Sequence, residues 1–363
     1  MKTFTVNGKT NRPFLTWLTE GMIHTFQKAG YEYKEEPIDQ INLVFNVIDP
    51  DRPRHFRRHS QSTFVVSILE TEEKPENVFK TAYPYLIRSL ANHLMYIYHQ
   101  DDDIHLYFLT PEQGFYSMTH RTDEAEEVLF ERIFDRLEPL ASSQLVIDNH
   151  FNEDLIDDLL DGNDRTRKMY VSGKRLDKMN LLPAPFPIDN YLSPRDMRHL
   201  KKLYGIGGLS YGNLSSRENN DHFWMSASGI DKSNMKEIGR DILYITGYDS
   251  TKNAMKISIP PNITPKRASV DAIEHWMIYR EHPDVGAIVH IHAWMDGIEA
   301  TQINYPCGTI QLAETVAELV RQADDPSRAV IGLKNHGLTI TGHDLDEIFE
   351  RIEDKVIPQV PMT

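Results

Sequence analysis

Two histidines one residue apart close the apolar run Val285-Gly286-Ala287-Ile288-Val289-His290-Ile291-His292. Successive side chains of a strand point to opposite faces, so His290 and His292 share one face and could bind a metal ion from the same side. The alternative is a pair with no ligand role, one ring bonded to a backbone carbonyl in the core and the other near solvent. A third imidazole, His336, follows the apolar run Ala329 to Leu333 and sits beside a Gly turn in Lys334-Asn335-His336-Gly337. Three His around an ion with an open position make a catalytic rather than a structural metal site.

Other residues could act with them. Asp271 stands in the first turn of a helix expected over Ser269 to Glu281, with His275 four residues on along the same face. It reads either as an acid that stabilises the helix dipole or as a carboxylate ligand or general base. Three small-residue loops could approach an anion: Gly205 to Arg217, which contains Gly212-Asn213-Leu214-Ser215; Ser226-Ala227-Ser228-Gly229; and Arg267-Ala268-Ser269, where Ser269 could cap the helix. Such residues also make ordinary turns. Cys307 reads as structural, because no base is tied to it by sequence.

The elements that must position these residues fill only half of the chain. With 363 residues, 40% hydrophobic and 26% charged, the sequence suggests two globular domains. Residues 1–165 read as an α+β domain: a helix over Phe14 to Lys28, strands at Ile41 to Ile48 and Thr63 to Leu69, and a long helix from about Glu76 to His99. A strand at Ile104 to Leu109, a helix near Asp123 to Leu137 and a strand near Leu145 to Ile147 complete it. Residues 166–187, with the Pro-rich stretch Leu182 to Pro187, read as a linker, and 188–363 as the second domain. The basic island Arg52 to His59 could hold an anion, or its histidines at i and i+4 a metal; as a charge run it also reads as solvated loop.

Lys plus Arg number 39 against 54 Asp plus Glu, a net charge of -15, which argues against nucleic acid and anionic membranes as partners. One cysteine permits no intrachain disulfide, and neither a signal-peptide run nor a membrane-length apolar stretch is present, so a cytoplasmic protein is expected.

In order along the chain, Gly212-Asn213-Leu214-Ser215, Ser228-Gly229, His275-x-x-x-Tyr279-x-x-His282-Pro283-Asp284-Val285-x-Ala287-x-Val289-His290-x-His292 and Asn335-His336-Gly337 resemble the motifs of the class II aldolase/adducin family. The resemblance spans about 185 to 355. It implies an α/β, three-layer fold with a central, mainly antiparallel sheet flanked by helices. It also implies a divalent metal, usually zinc, on His290, His292 and His336. Asn213, Ser228, Gly229 and Ser269 match positions that hold the substrate phosphate, and Asp271 the catalytic carboxylate. The implied activity is a lyase that cleaves a ketose phosphate through a metal-stabilised enediolate, in a homo-oligomer. Asp271 is one methylene shorter than the Glu of the aldolases and matches the Asp that epimerase-like members turn towards the metal. Val270 replaces a phosphate-binding Ser, and the segment from His292 to Gly308 is shorter than is usual. A related epimerase or isomerase, an adducin-like assembly module without chemistry, and a ligand-binding module are the competing readings.

Overall fold

The computed structural model describes residues 2–36, 41–60, 62–72, 74–110, 114–179, 181, 192–203, 212–358 and 360–363. The expected Pro-rich connector at 182–187 and the Gly-rich start of the first loop, 205–211, lie outside them. The chain divides into two compact units, one of residues 1–143, 186–203 and 362–363, the other of 144–185 and 204–361. Among the described residues each unit is built on one mixed sheet.

The first unit opens with strand β1 (Thr3–Asn7), helix α1 (Pro13–Lys28) and strand β2 (Glu32–Tyr33). Pro13 at the first helical position begins α1 without disturbing a needed N–H. Strands β3 (Leu43–Val47), β4 (Phe64–Thr71), β5 (His93–Gln100), β6 (Asp103–Thr110) and β7 (Gly114–His120) follow, with α2 (Val78–Arg88) before β5 and α3 (Glu126–Ser142) after β7. Their order is β2-β1-β3-β4-β5-β6-β7, parallel from β2 to β5 and antiparallel through the last two pairs. Phe4, Phe26 and Phe45 pack edge-on and tilted in its core. After α4 (Asp164–Lys178) has been built in the other unit, α5 (Pro194–Leu203) returns to this one, where buried Asp196 takes two 2.8 Å hydrogen bonds from Arg88 on α2.

The second unit arranges β8 (Asp148–Asn152), β9 (Gly212–Asn219), β10 (His222–Ser226), β11 (Ile242–Asp249), β12 (Ala254–Ser258), β13 (Ala287–Ile291), β14 (Glu299–Ala300), β15 (Val330–Leu333) and β16 (Gly337–Gly342) in the order β14-β15-β16-β13-β9-β10-β11-β12-β8. The ladder is antiparallel except at its two edges, β14 with β15 and β12 with β8. Helices α6 (Ala272–Glu281) and α7 (Ile310–Gln322) cover one face, burying Ile273, Ile278, Leu312 and Val316 against Phe223, Leu243 and Ile288. On the other face α4 and α8 (Leu345–Ile352) bury Met169, Leu176, Ile348 and Phe349 against Trp224, Val289 and Ile340. Three layers with a mainly antiparallel centre are what the sequence reading expects of the second half.

Elsewhere expectation and structure part. The helix expected to His99 stops at Arg88, Leu90 takes a φ of +50°, and β5 begins at His93. Leu94 to Tyr98 are all buried, and a strand covered on both faces shows no alternation to separate it from a helix. The first unit is not the segregated α+β arrangement, since its first five strands in space run parallel. The strand expected at 145–147 is reduced to a bridge between Leu145 and Thr309, and the true strand is β8. The start of the expected linker is helix α4. Asn163 caps it through the N–H groups of Arg165 and Thr166, while the Thr166 hydroxyl takes the Asn163 N–H.

Candidate metal centre

Strand β13 lies between β9 and β16, and its register sets one row of side chains across the sheet: Asn213 opposite His290 on one side and Thr339 on the other. Alternation places His290, like Ile288, on the face covered by α6, and Val289 and Ile291 on the face covered by α8. The strands can close up here because two positions carry no side chain. A Cβ on Gly212, whose φ is +141°, would sit 2.0 Å from the His290 carbonyl oxygen, and one on Gly337 2.2 Å from that of Ile291. His336 occupies the turn joining β15 to β16, where Asn335 adopts a φ of +56°.

His290, His292 and His336 are buried and converge. Each offers a nitrogen, and the three lie within 4.8 Å of one another; the ring centroids are 5.1, 4.7 and 5.2 Å apart. Burial above all pushes His290 down to about 3, helped by His275 and Lys232 and opposed by the Leu338 main chain. His336 is held well below its ordinary value by burial and by its two imidazole neighbours. Both rings are therefore neutral at pH 7, the form that ligates metal. Nε2 of His290 is buried without a hydrogen-bond partner among the described residues, a loss of about 1–3 kcal/mol unless something else takes it up. Three converging imidazoles, with an orphaned nitrogen on His290, fit a divalent ion of zinc type.

Asp271 sits at the N-cap of α6 but does not cap it. Its Oδ2 instead accepts from Asn213 Nδ2 at 2.7 Å and from the Ser269 hydroxyl at 3.1 Å, and Asn213 Nδ2 also reaches Ser269 Oγ at 3.0 Å. Of the small-residue loops, the first is thus bonded to the third through Asn213 and Ser269. The second joins the third by its main chain, Ser228 N–H to Arg267 O at 2.8 Å beside an Ala227–Ala268 bridge, and Gly229 follows with a φ of +70°.

His275, one turn into α6, is fully buried, and burial drives it to about 3; its Nδ1 shares a 2.8 Å hydrogen bond with Ser215, which is also 2.8 Å from the Tyr279 hydroxyl. It belongs to the packing behind the histidines rather than to their cluster. Two charged residues not singled out in the sequence are also here. Glu274 is 2% exposed, bonded by the Thr339 hydroxyl, and raised to about 8 by burial and then by Asp271. Lys232, also 2% exposed, is lowered to about 8 by burial against the pull of Asp271 and Asp231. Neither carries a sequence signal: Glu274 differs from any surface acid only in the face of the helix it occupies, and Lys232 lies in a polar turn.

The basic island does not form a second cluster. Residues 53–58 carry no helix, so His55 and His59 lose the i, i+4 relation. The Arg54 carbonyl accepts from Asn46 near the end of β3, whereas the Arg58 guanidinium bonds Thr63 O and Asn92 before β4 and β5.

Comparison with known proteins bears on the same half of the chain. Residues 197–301 match the family model described as class II aldolase and adducin N-terminal domain. An L-fuculose phosphate aldolase of Methanococcus maripaludis is 26% identical over 173 residues, 42% of this chain and 83% of that protein. One of Methanocaldococcus jannaschii is 27% identical over 174 residues, 42% and 82% respectively. A methylthioribulose-1-phosphate dehydratase of Leptospira biflexa is 30% identical over 110 residues, 29% of this chain and 48% of that protein.

Proposed function

Because this chain carries a class II aldolase/adducin-family domain, we propose that it is a metal-dependent lyase cleaving the carbon–carbon bond of a phosphorylated ketose. The observation that carries the reading is the convergence of three buried imidazoles beside a carboxylate tied down by neighbours instead of capping its helix. His290, His292 and His336 would hold the ion. A divalent ion bound there, zinc by preference of its ligands, would polarise the ketose carbonyl and its adjacent hydroxyl.

Asp271 moves the proton. Asn213 and Ser269 fix its Oδ2, which leaves Oδ1 to take the hydroxyl proton as the bond breaks. Ser228, Gly229, Ser269 and Asn213 would receive the phosphate, whose charge suits small residues and main-chain N–H groups beside the start of α6. The Leptospira relative supports a second reading, in which the carboxylate takes a proton from the carbon beside the ketose carbonyl and the hydroxyl on the next carbon leaves as water, with no carbon–carbon bond broken.

The test is elemental analysis of the untagged protein beside His290→Ala, followed by product analysis on ketose phosphates. About one divalent ion per chain, lost together with turnover in the variant, is expected. An aldehyde product marks the lyase, and a dehydrated ketone the second reading. Turnover that survives in a metal-free variant, or wild-type protein that takes up no zinc or manganese, would discard both in favour of assembly or ligand binding.

A further inference from the structure

The two ends of the Asn213 amide have different fates. Asn213 stands on β9 directly across from His290, so the two side chains leave the sheet on the same face. An ionised carboxylate oxygen only accepts, so the amide nitrogen, not its oxygen, is the end turned to Asp271. Both hydrogens on that nitrogen are taken, one by Asp271 Oδ2 at 2.7 Å and one by Ser269 Oγ at 3.0 Å. The Ser269 hydroxyl gives its own hydrogen to Asp271 Oδ2 at 3.1 Å. What the trio leaves open is Asn213 Oδ1, a buried acceptor with no hydrogen-bond partner among the described residues, on a residue 4% exposed.

That inventory decides what can lie against the trio. A fully ionised phosphate ester carries three bare oxygens, and every one of them is an acceptor. Brought to Asn213, a bare oxygen would meet a second acceptor, with the Asp271 carboxylate behind it, in surroundings that screen charge little. One proton on the ester removes both obstacles. The P–OH group supplies the missing hydrogen, and the ligand sheds one of its two negative charges. Glu274 on α6, Lys232 in the turn before β11 and His336 between β15 and β16 are the other ionisable groups that interact with Asp271. A sulfate ester meets all of them with the charge of the singly protonated phosphate, so the pair of esters isolates the hydrogen.

We propose that Asn213 selects the phosphate ester in its singly protonated form, with Oδ1 accepting the P–OH hydrogen, and turns away sulfate esters, which have no hydrogen to give. The assignment rests on the phosphate placement above and makes Asn213 its specificity-determining residue. Ser269 and Asp271 act through Asn213, holding its nitrogen so that its oxygen faces the ligand.

The test uses the full chain, zinc-loaded and metal-free, with methyl phosphate and methyl sulfate as probes. At pH 6 methyl phosphate should bind at least tenfold more tightly than methyl sulfate. Its affinity should fall at least tenfold by pH 8, because the free ester loses its last proton at about pH 6, while that of methyl sulfate changes less than threefold. The preference should persist without zinc, which separates it from anion binding at the ion. Asn213→Leu keeps the side-chain outline, removes the acceptor, and should bring the two esters within threefold of each other. In the wild type the ¹³Cγ resonance of Asn213 should move with methyl phosphate and not with methyl sulfate, a reading that needs no variant to fold. Equal affinity for the two esters, methyl phosphate binding that holds or strengthens at pH 8, a preference lost with the metal or kept in Asn213→Leu, or an unmoved ¹³Cγ signal would each overturn the assignment. Binding of neither ester at either pH is a different result, and removes the phosphate placement on which it rests.

Discussion

At the scale of single residues, the carboxyl groups on α6 divide the work by environment. Asp271 faces donors, and Asp271→Asn should keep zinc on the three histidines while turnover drops about 10²- to 10⁴-fold, checked by kcat at measured zinc content. Glu274 faces burial, and the pH dependence of stability follows in sign. The folded chain holds the Glu274 proton up to about 8, whereas the unfolded chain releases it near the ordinary carboxyl value. Between those values the folded state binds more protons, so its contribution to stability is complete below the lower value and is lost as pH rises towards 8, by at most about 1.4 kcal/mol per pH unit. Glu274→Gln should therefore raise the urea midpoint of the metal-free protein at pH 8 and leave it nearly unchanged at pH 4.5. A variant less stable than wild type at pH 8 would contradict this. Of these residues the sequence exposes His290, His292, His336 and Asp271 by spacing and by family pattern. It hides Glu274 and Lys232, because a charged residue betrays nothing of its burial until the opposing strand or helix is in place.

At the scale of elements, what was legible had a period or a cap and what was missed had neither. The apolar spacing of α1 read directly, and the helix expected over Ser269 to Glu281 is α6. β5 was absorbed into a helix because all five of its central residues are buried. α4 shows the reverse error, a capped helix concealed by its charges. Its Asn163 also donates to Glu218 at 2.7 Å, so Asn163→Ala should lower stability by about 1 kcal/mol or somewhat more in denaturant titration. The pairing of β9 with β13 is less forgiving. Gly212→Ala would drive a Cβ onto the His290 carbonyl, and should cost more than about 2 kcal/mol and lower zinc content with it. An alanine variant that melts and binds zinc like wild type would refute the close approach.

At the scale of the whole chain, the boundary matters more than the count of domains. A cut at residue 188, where the sequence suggests a second domain begins, removes β8 from the edge of the nine-stranded sheet and α4 from one of its faces. It also removes Gly173, against which the Lys232 turn is seated. A fragment of 188–363 should be insoluble or expanded, as judged by light scattering and near-ultraviolet circular dichroism, and a soluble, cooperatively unfolding fragment would count against the division described. No described helix is long and apolar enough to cross a membrane.

The interleaving of the two units has a consequence for how the chain is made. A ribosome delivers residues in order, yet the acid that pairs with Arg88 arrives 108 positions later, on α5, after β8 and α4 have already emerged. The nascent first unit must wait through the opening of the second with that arginine unmatched, while β8 waits almost as long for β12, its one strand neighbour among the described residues. Neither half can be finished before the other has begun, so synthesis itself couples two units that a reading of domains from left to right would have treated as successive.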